Sequence, residues 1–103
     1  MTYNKNEYGS KIYADFGVDI SKATNKTIYL QPKFGDEKTF TANLISGTKN
    51  VEVDDMGYIA KEFLEYTLQD GDLDYVGQWR VRGSVVLGGK LIKTDYVLFT
   101  VLA

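Results

Sequence analysis

Short runs in which apolar and polar residues alternate follow one another along the chain, the period of half-buried strands. Ile12, Ala14 and Phe16 alternate with Lys11, Tyr13 and Asp15, and Ile28 and Leu30 alternate with Thr27, Tyr29 and Gln31. Pro32 cannot donate to a sheet ladder, so it ends that second strand or places it at an edge. Phe34-Gly35-Asp36-Glu37 is a turn signal, and beyond it Phe40 and Ala42 alternate with Thr39, Thr41 and Asn43. Gly47 breaks this run, Val51 and Val53 mark a further short piece, and Asp54-Asp55-Met56-Gly57 reads as another turn. In the segment 43–63 the pattern is weakest, and from Tyr58 to Leu68 it fits two periods. Ala60, Leu64, Tyr66 and Leu68 suit a strand, whereas Ile59, Phe63 and Tyr66 would line a helix face. The strand is favoured at Leu64–Leu68, and a helical turn is allowed around Ala60–Phe63.

The last third is better marked. Gln78–Leu87 and Lys90–Leu102 are rich in strand-forming residues and are joined by Gly88-Gly89, a two-residue loop suited to a primed hairpin turn. That register sets Val85 opposite Ile92 and Arg82 opposite Asp95, an apolar pair and an opposite-charge pair. Trp79, Val81 and Val85 then share the inner face, with Trp79 at the centre of the core and Leu73 dropping into it from the preceding corner. The final run is apolar on both faces: Val97, Phe99 and Val101 on one, Tyr96, Leu98 and Leu102 on the other. Either a bulge switches the register or both faces are covered, which would require a partner or an oligomer. Val97, Phe99 and Val101 are therefore candidate interaction residues, and so are Tyr13 and Tyr29, on the polar sides of their strands.

About seven short strands separated by turn signals predict an all-β fold, an antiparallel β-sandwich of the immunoglobulin-like kind. It is expected to occupy residues 11–103 as a single domain, behind a polar, aperiodic lead, 1–10, expected to be a flexible arm. Apolar residues make up 44% of the 103 and charged residues 25%, which excludes general disorder. A formal net charge of −2 offers no footprint for phosphate backbones, so nucleic acid is not an expected partner. No apolar run approaches membrane-spanning length, and Met1–Asn6 lacks the apolar stretch of a secretory signal. The chain has neither cysteine nor histidine. That removes Ser-His-Asp and Cys-His catalysis and the usual zinc ligands.

The remaining motifs point to no reaction and no cofactor. Asp70-Gly71-Asp72-Leu73-Asp74 opens like a calcium loop, but Tyr75 stands where glycine is needed and Val81 where the closing glutamate is needed. It reads instead as a turn whose aspartates cap backbone amides. Gly88-Gly89-Lys90 is followed by Leu91 rather than a hydroxyl residue, so it is a hairpin and not a phosphate loop. Asn25-Lys26-Thr27 matches a glycosylation sequon, which matters only in a secretory context. Glu62 and Glu65 could pair as glycosidase acids only in a deep cleft, which small sandwiches seldom provide. Tyr3, Tyr8, Tyr13, Tyr29, Tyr58 and Tyr75 are candidates for exposed aromatics, either at the edge of the core or as platforms for a protein or a sugar.

Four stretches together resemble a known family. They are Phe16-Gly17-Val18-Asp19-Ile20-Ser21-Lys22-Ala23-Thr24, the strand and turn Ile28–Gly35, Gly71-Asp72-Leu73-Asp74-Tyr75-Val76-Gly77-Gln78-Trp79, and Phe99-Thr100-Val101. The pattern is similar to the N-terminal domain of tailed-phage baseplate upper proteins and related small tail-associated domains. Lys22 departs from that family's glycine, and the stretch from Asn43 to Tyr58 is longer than its pattern. The resemblance implies a non-enzymatic virion component, made in the bacterial host cytoplasm, that docks onto other tail or baseplate proteins, commonly as a trimer or hexamer. The competing expectation is a carbohydrate-binding module for host cell walls, with Tyr13 and Tyr29 as stacking residues.

Overall fold

The computed structural model describes residues 2–44, 51–53, 56–58 and 62–103, with backbone pairing alone for 51–53 and 56–58. The chain is essentially all-β. One sheet contains β1 (Thr2–Asn4), β3 (Thr24–Pro32), β4 (Lys38–Thr41), β9 (Gly77–Leu87), β10 (Lys90–Lys93) and β11 (Val97–Leu102). Its order is β1-β11-β9-β3-β4, and β10 also pairs with β9. The second sheet is β2 (Lys11–Asp15), β8 (Phe63–Thr67) and β5 (Asn43–Leu44), in the order β2-β8-β5. β6 (Val51–Val53) and β7 (Met56–Tyr58) pair with each other. Every pairing among the described residues is antiparallel except that of β1 with β11.

Between the two larger sheets lies the core. Ile12, Ala14 and Leu64 from the smaller sheet pack with Ile28, Leu30, Trp79, Val81, Val85, Phe99 and Val101 from the larger. Ile20, Ala23, Ala42, Leu68 and Leu73 enter from the connections. Alternation along β9 has a clear cause: Trp79, Val81, Gly83 and Val85 point inward, and Arg80 and Arg82 point out. Trp79 is 1% exposed, and its indole Nε1 donates to the Tyr75 carbonyl at 2.9 Å. A buried tryptophan thus keeps its polar edge satisfied. The crossing from one sheet to the other takes a single residue at Ala42. Thr41 still pairs with Thr27, and Asn43 already pairs with Glu65.

Three readings of the sequence need correction. The lead is not a free arm from end to end. Tyr3 is 7% exposed, meets Phe99 edge-on with ring centroids 5.7 Å apart, and donates from its hydroxyl to the Lys11 carbonyl. One buried aromatic is enough to anchor a three-residue strand whose polar neighbours hide any period. The run Lys90–Leu102 is two strands: Val85 does pair with Ile92, but Thr94–Tyr96 leave the ladder. Arg82 therefore does not face Asp95 in a strand pair. Instead it lies 3.6 Å from Glu37 Oε2. Of the turn read at 54–57, Met56 and Gly57 belong to β7, and Asp54 and Asp55 lie outside the described residues. Gly47 and Ala60 also lie outside them. Phe63–Thr67, the stretch with two possible periods, is strand.

Between β10 and β11 three residues, Thr94–Tyr96, stand against two, Arg82 and Gly83. This is the bulge that the doubly apolar pattern allowed for. An extra residue exchanges the two faces of the strand. Ile92 packs on the core before it, and Phe99 and Val101 do so after it. The Gly83 amide, which would otherwise lose its partner, donates to Thr94 Oγ1 at 3.0 Å.

Candidate functional site

The bulge determines what stands on the outer face of the larger sheet. Thr94–Tyr96 carry the Tyr96 ring over the two outward arginines of β9, 3.8 Å from the Arg80 guanidinium and 4.5 Å from that of Arg82. Its hydroxyl donates to Glu37 Oε2 at 2.9 Å. Burial and this bond raise the Tyr96 phenol above its usual pKa, against the lowering pull of the two guanidiniums. Arg80 Nε and Nη2 both donate to Gln31 Oε1, at 3.0 and 2.6 Å. Arg82 also lies over the Tyr29 ring at 5.0 Å, and the Tyr29 hydroxyl hydrogen-bonds Ser84 Oγ at 3.0 Å.

Beside this cluster runs a groove. Register places Gln31, Arg80 and Leu98 in one row across β3, β9 and β11. Pro32, Lys33 and Gln78 continue that row into a hollow of about 290 Å³ with Trp79 as part of its wall. A second hollow of about 320 Å³ shares Pro32, Lys33 and Gln78 and extends to Phe34, Tyr75 and Val76. The two form one channel over the start of β9.

Its apolar rim is conspicuously uncovered: Phe34 is 88% exposed, Leu98 60%, Tyr75 58% and Val76 55%. These side chains stand on backbone held in place. Gln31 Nε2 donates to the Gly35 carbonyl, fixing the turn that carries Phe34, and Lys33 N donates to the Gln78 carbonyl. Trp79 Nε1 holds the Tyr75 carbonyl. The rim is a shaped surface, and exposed apolar groups grouped in this way mark contact sites more than scattered ones do.

Several candidates from the sequence lie elsewhere. Phe99 and Val101 are core residues, so they cannot form a docking face; the bulge turns them inward. Val97 is exposed, and the outer apolar positions of β11 are Leu98 and Leu102. Tyr29 is half-buried beneath Arg82, and Tyr13 is half-buried on β2. Trp79, Val81, Val85 and Leu73 lie in the core. Sequence reasoning missed Phe34 and Val76, because an apolar residue inside a turn signal has no periodicity to reveal which way it faces.

The Asp70–Asp74 loop holds a cation of the chain's own. Lys38 Nζ donates to the Gly71 carbonyl at 3.3 Å, the Asp72 carbonyl at 2.9 Å and Asp74 Oδ1 at 2.9 Å. Asp72 Oδ2 accepts from the Gln69 amide and from the Tyr66 hydroxyl. Asp72 and Asp74, two of the three carboxylates that opened the loop, are thus engaged, and among the described residues no three acidic side chains gather as a metal-binding group. Glu65, half of the imagined acid pair, is bound to Lys11 Nζ at 3.0 Å. Comparison with protein-family models and with curated proteins finds no match for this chain.

Proposed function

We propose that this chain is a non-enzymatic interaction protein that docks onto other proteins through the groove and outer face of its larger sheet. The observation that carries this reading is the grouping of Phe34, Tyr75, Val76 and Leu98, all exposed, on anchored backbone around one channel. Hot spots of protein interfaces are enriched in tyrosine and arginine, and Tyr75 and Arg80 line these hollows. The resemblance in sequence supplies the setting: a tail or baseplate component of a tailed phage, with an immunoglobulin-like sandwich and a trimeric or hexameric assembly. The test is the mass of the purified chain by size exclusion with multi-angle scattering, together with recovery of bound tail proteins from disrupted virions. A discrete oligomer or a stable stoichiometric complex is expected. A monomer at high concentration that retains no virion protein would overturn the reading.

Glycan binding is the second reading, and the exposed Tyr75 and Phe34 rings favour it. It requires saturable binding of a cell-wall oligosaccharide that is lost in Tyr75→Ala. Tyr29 is a poor platform for it, since Arg82 already lies over its ring.

A further inference from the structure

The groove has a charge that the chain as a whole does not. The protein carries 14 acidic and 12 basic residues. Yet Lys33 lines both hollows and Arg80 the first, and among the described residues no carboxylate lines either. Arg80 spends two donors on the neutral oxygen of Gln31 and stacks on Tyr96, so no carboxylate among the described residues neutralises it. Lys33 lies 5.5 Å from the Phe34 ring. Glu37 accepts from the Tyr96 hydroxyl, lies 3.6 Å from Arg82 and is not part of the lining of either hollow. The result is an apolar channel with a cation on each lobe, cut into a net acidic protein.

The geometry points to an acidic, apolar peptide segment of a partner protein as the occupant of this groove. The inference rests on the docking reading above and adds the chemistry of the partner. Its apolar side chains would meet Leu98 in one lobe and Phe34 and Val76 in the other. Its carboxylates would meet Arg80, whose remaining N–H donors form a planar fork suited to a carboxylate, and Lys33. Arg80 is half-buried, so its charge is screened less by solvent than that of a fully exposed arginine and favours the opposite sign.

The test is a fluorescence-anisotropy titration of the full chain with three short labelled peptides of equal length. Each alternates leucine with a second residue, which is acidic, serine or lysine. The acidic peptide should bind at least about tenfold more tightly than the serine peptide, as expected for one or two charge-assisted hydrogen bonds. The lysine peptide should not bind. Raising ionic strength from ~0.01 M to ~0.15 M, which shortens the Debye length from about 30 to about 8 Å, should narrow the gap. Lys33→Gln, at an exposed turn, and Arg80→Gln should each remove most of the preference, and Phe34→Ser should weaken all binding. Equal binding of the acidic and serine peptides would overturn the inference, as would a preference unchanged in both charge variants. If that happens while the chain still forms a stable protein complex, docking stands and only the partner chemistry falls. Loss of both the complex and the peptide binding removes both readings.

Discussion

Gly83→Ala is the sharpest test of how the two sheets fit. Gly83 lies mid-strand in β9, facing β2 of the other sheet. A Cβ built there would lie 2.8 Å from Ala14 Cβ and 3.1 Å from Phe16 Cε1 and Cζ. Carbon atoms pack comfortably at about 3.5–4.0 Å, so one methyl group requires the sheets to part locally by about 1 Å. The nearer obstacle, Ala14 Cβ, is fixed to the β2 backbone and cannot swing aside. Overpacking of this kind costs typically ~1–3 kcal/mol, and no gain in strand propensity offsets it, since Gly-to-Ala recovers only about 0.5–1 kcal/mol. The assay is urea unfolding followed by the fluorescence of Trp79, the one tryptophan in the chain. With a slope of about 2 kcal/mol/M, the middle of the usual range, the midpoint should fall by roughly 0.5–1.5 M. Ala14→Gly in the same chain should recover part of the loss, because contacts at this separation couple. Recovery stays incomplete, since the Phe16 ring remains in place. A Gly83→Ala protein within about 0.5 kcal/mol of the parent would refute the close approach of β2 and β9.

Tyr3→Ala should destabilise the fold by about 3 kcal/mol, the scale of a buried aromatic truncated to alanine; an unchanged melting curve would restore the free arm. Lys38→Met keeps the aliphatic stem but strips the donor from two carbonyls and Asp74, at a cost of about 1–2 kcal/mol after allowance for partial exposure. Urea midpoints of the two chains check this, and added calcium should not rescue the variant. Tyr66 is raised above the ordinary tyrosine value chiefly by burial, then by its bond to Asp72. Its proton is held more tightly in the folded chain than in the unfolded one. That contribution is complete below about pH 10 and is lost as pH rises through the folded value. Tyr66→Phe, which keeps the ring stacked on Phe40, should flatten the fall in stability above about pH 10, and a slope identical to the parent's would refute the assignment.

What was legible in the sequence follows from what leaves a periodic trace. Ile12 and Ala14, Ile28 and Leu30, and Trp79 through Val85 alternate because one side of each strand meets the core, and the structure buries those sides. The Gly88-Gly89 hairpin was legible because few other residues tolerate its backbone, with φ of 59° and 76°. Its continuation was not. A bulge adds one residue without changing composition, so Phe99 and Val101 looked as available as Leu98 and Leu102, and the face was assigned the wrong way round. β1 is too short to show a period. The groove is illegible for a different reason: Lys33, Phe34, Val76, Arg80 and Leu98 come from three parts of the chain, and only the pairing of β3, β9 and β11 unites them.

The parallel pairing of β1 with β11 has a mechanical consequence. Thr2 lies opposite Thr100 and Asn4 opposite Leu102, so the chain enters the sheet at one end of this pair and leaves at the other. Tension applied on either side of the fold would pull these two strands lengthwise past each other. Their cross-links, including the bond from Lys5 N to the Leu102 carbonyl, would be loaded together and not peeled one by one. A three-residue strand thus acts as a shear clasp, and its release would draw one core residue, Tyr3, out from against Phe99.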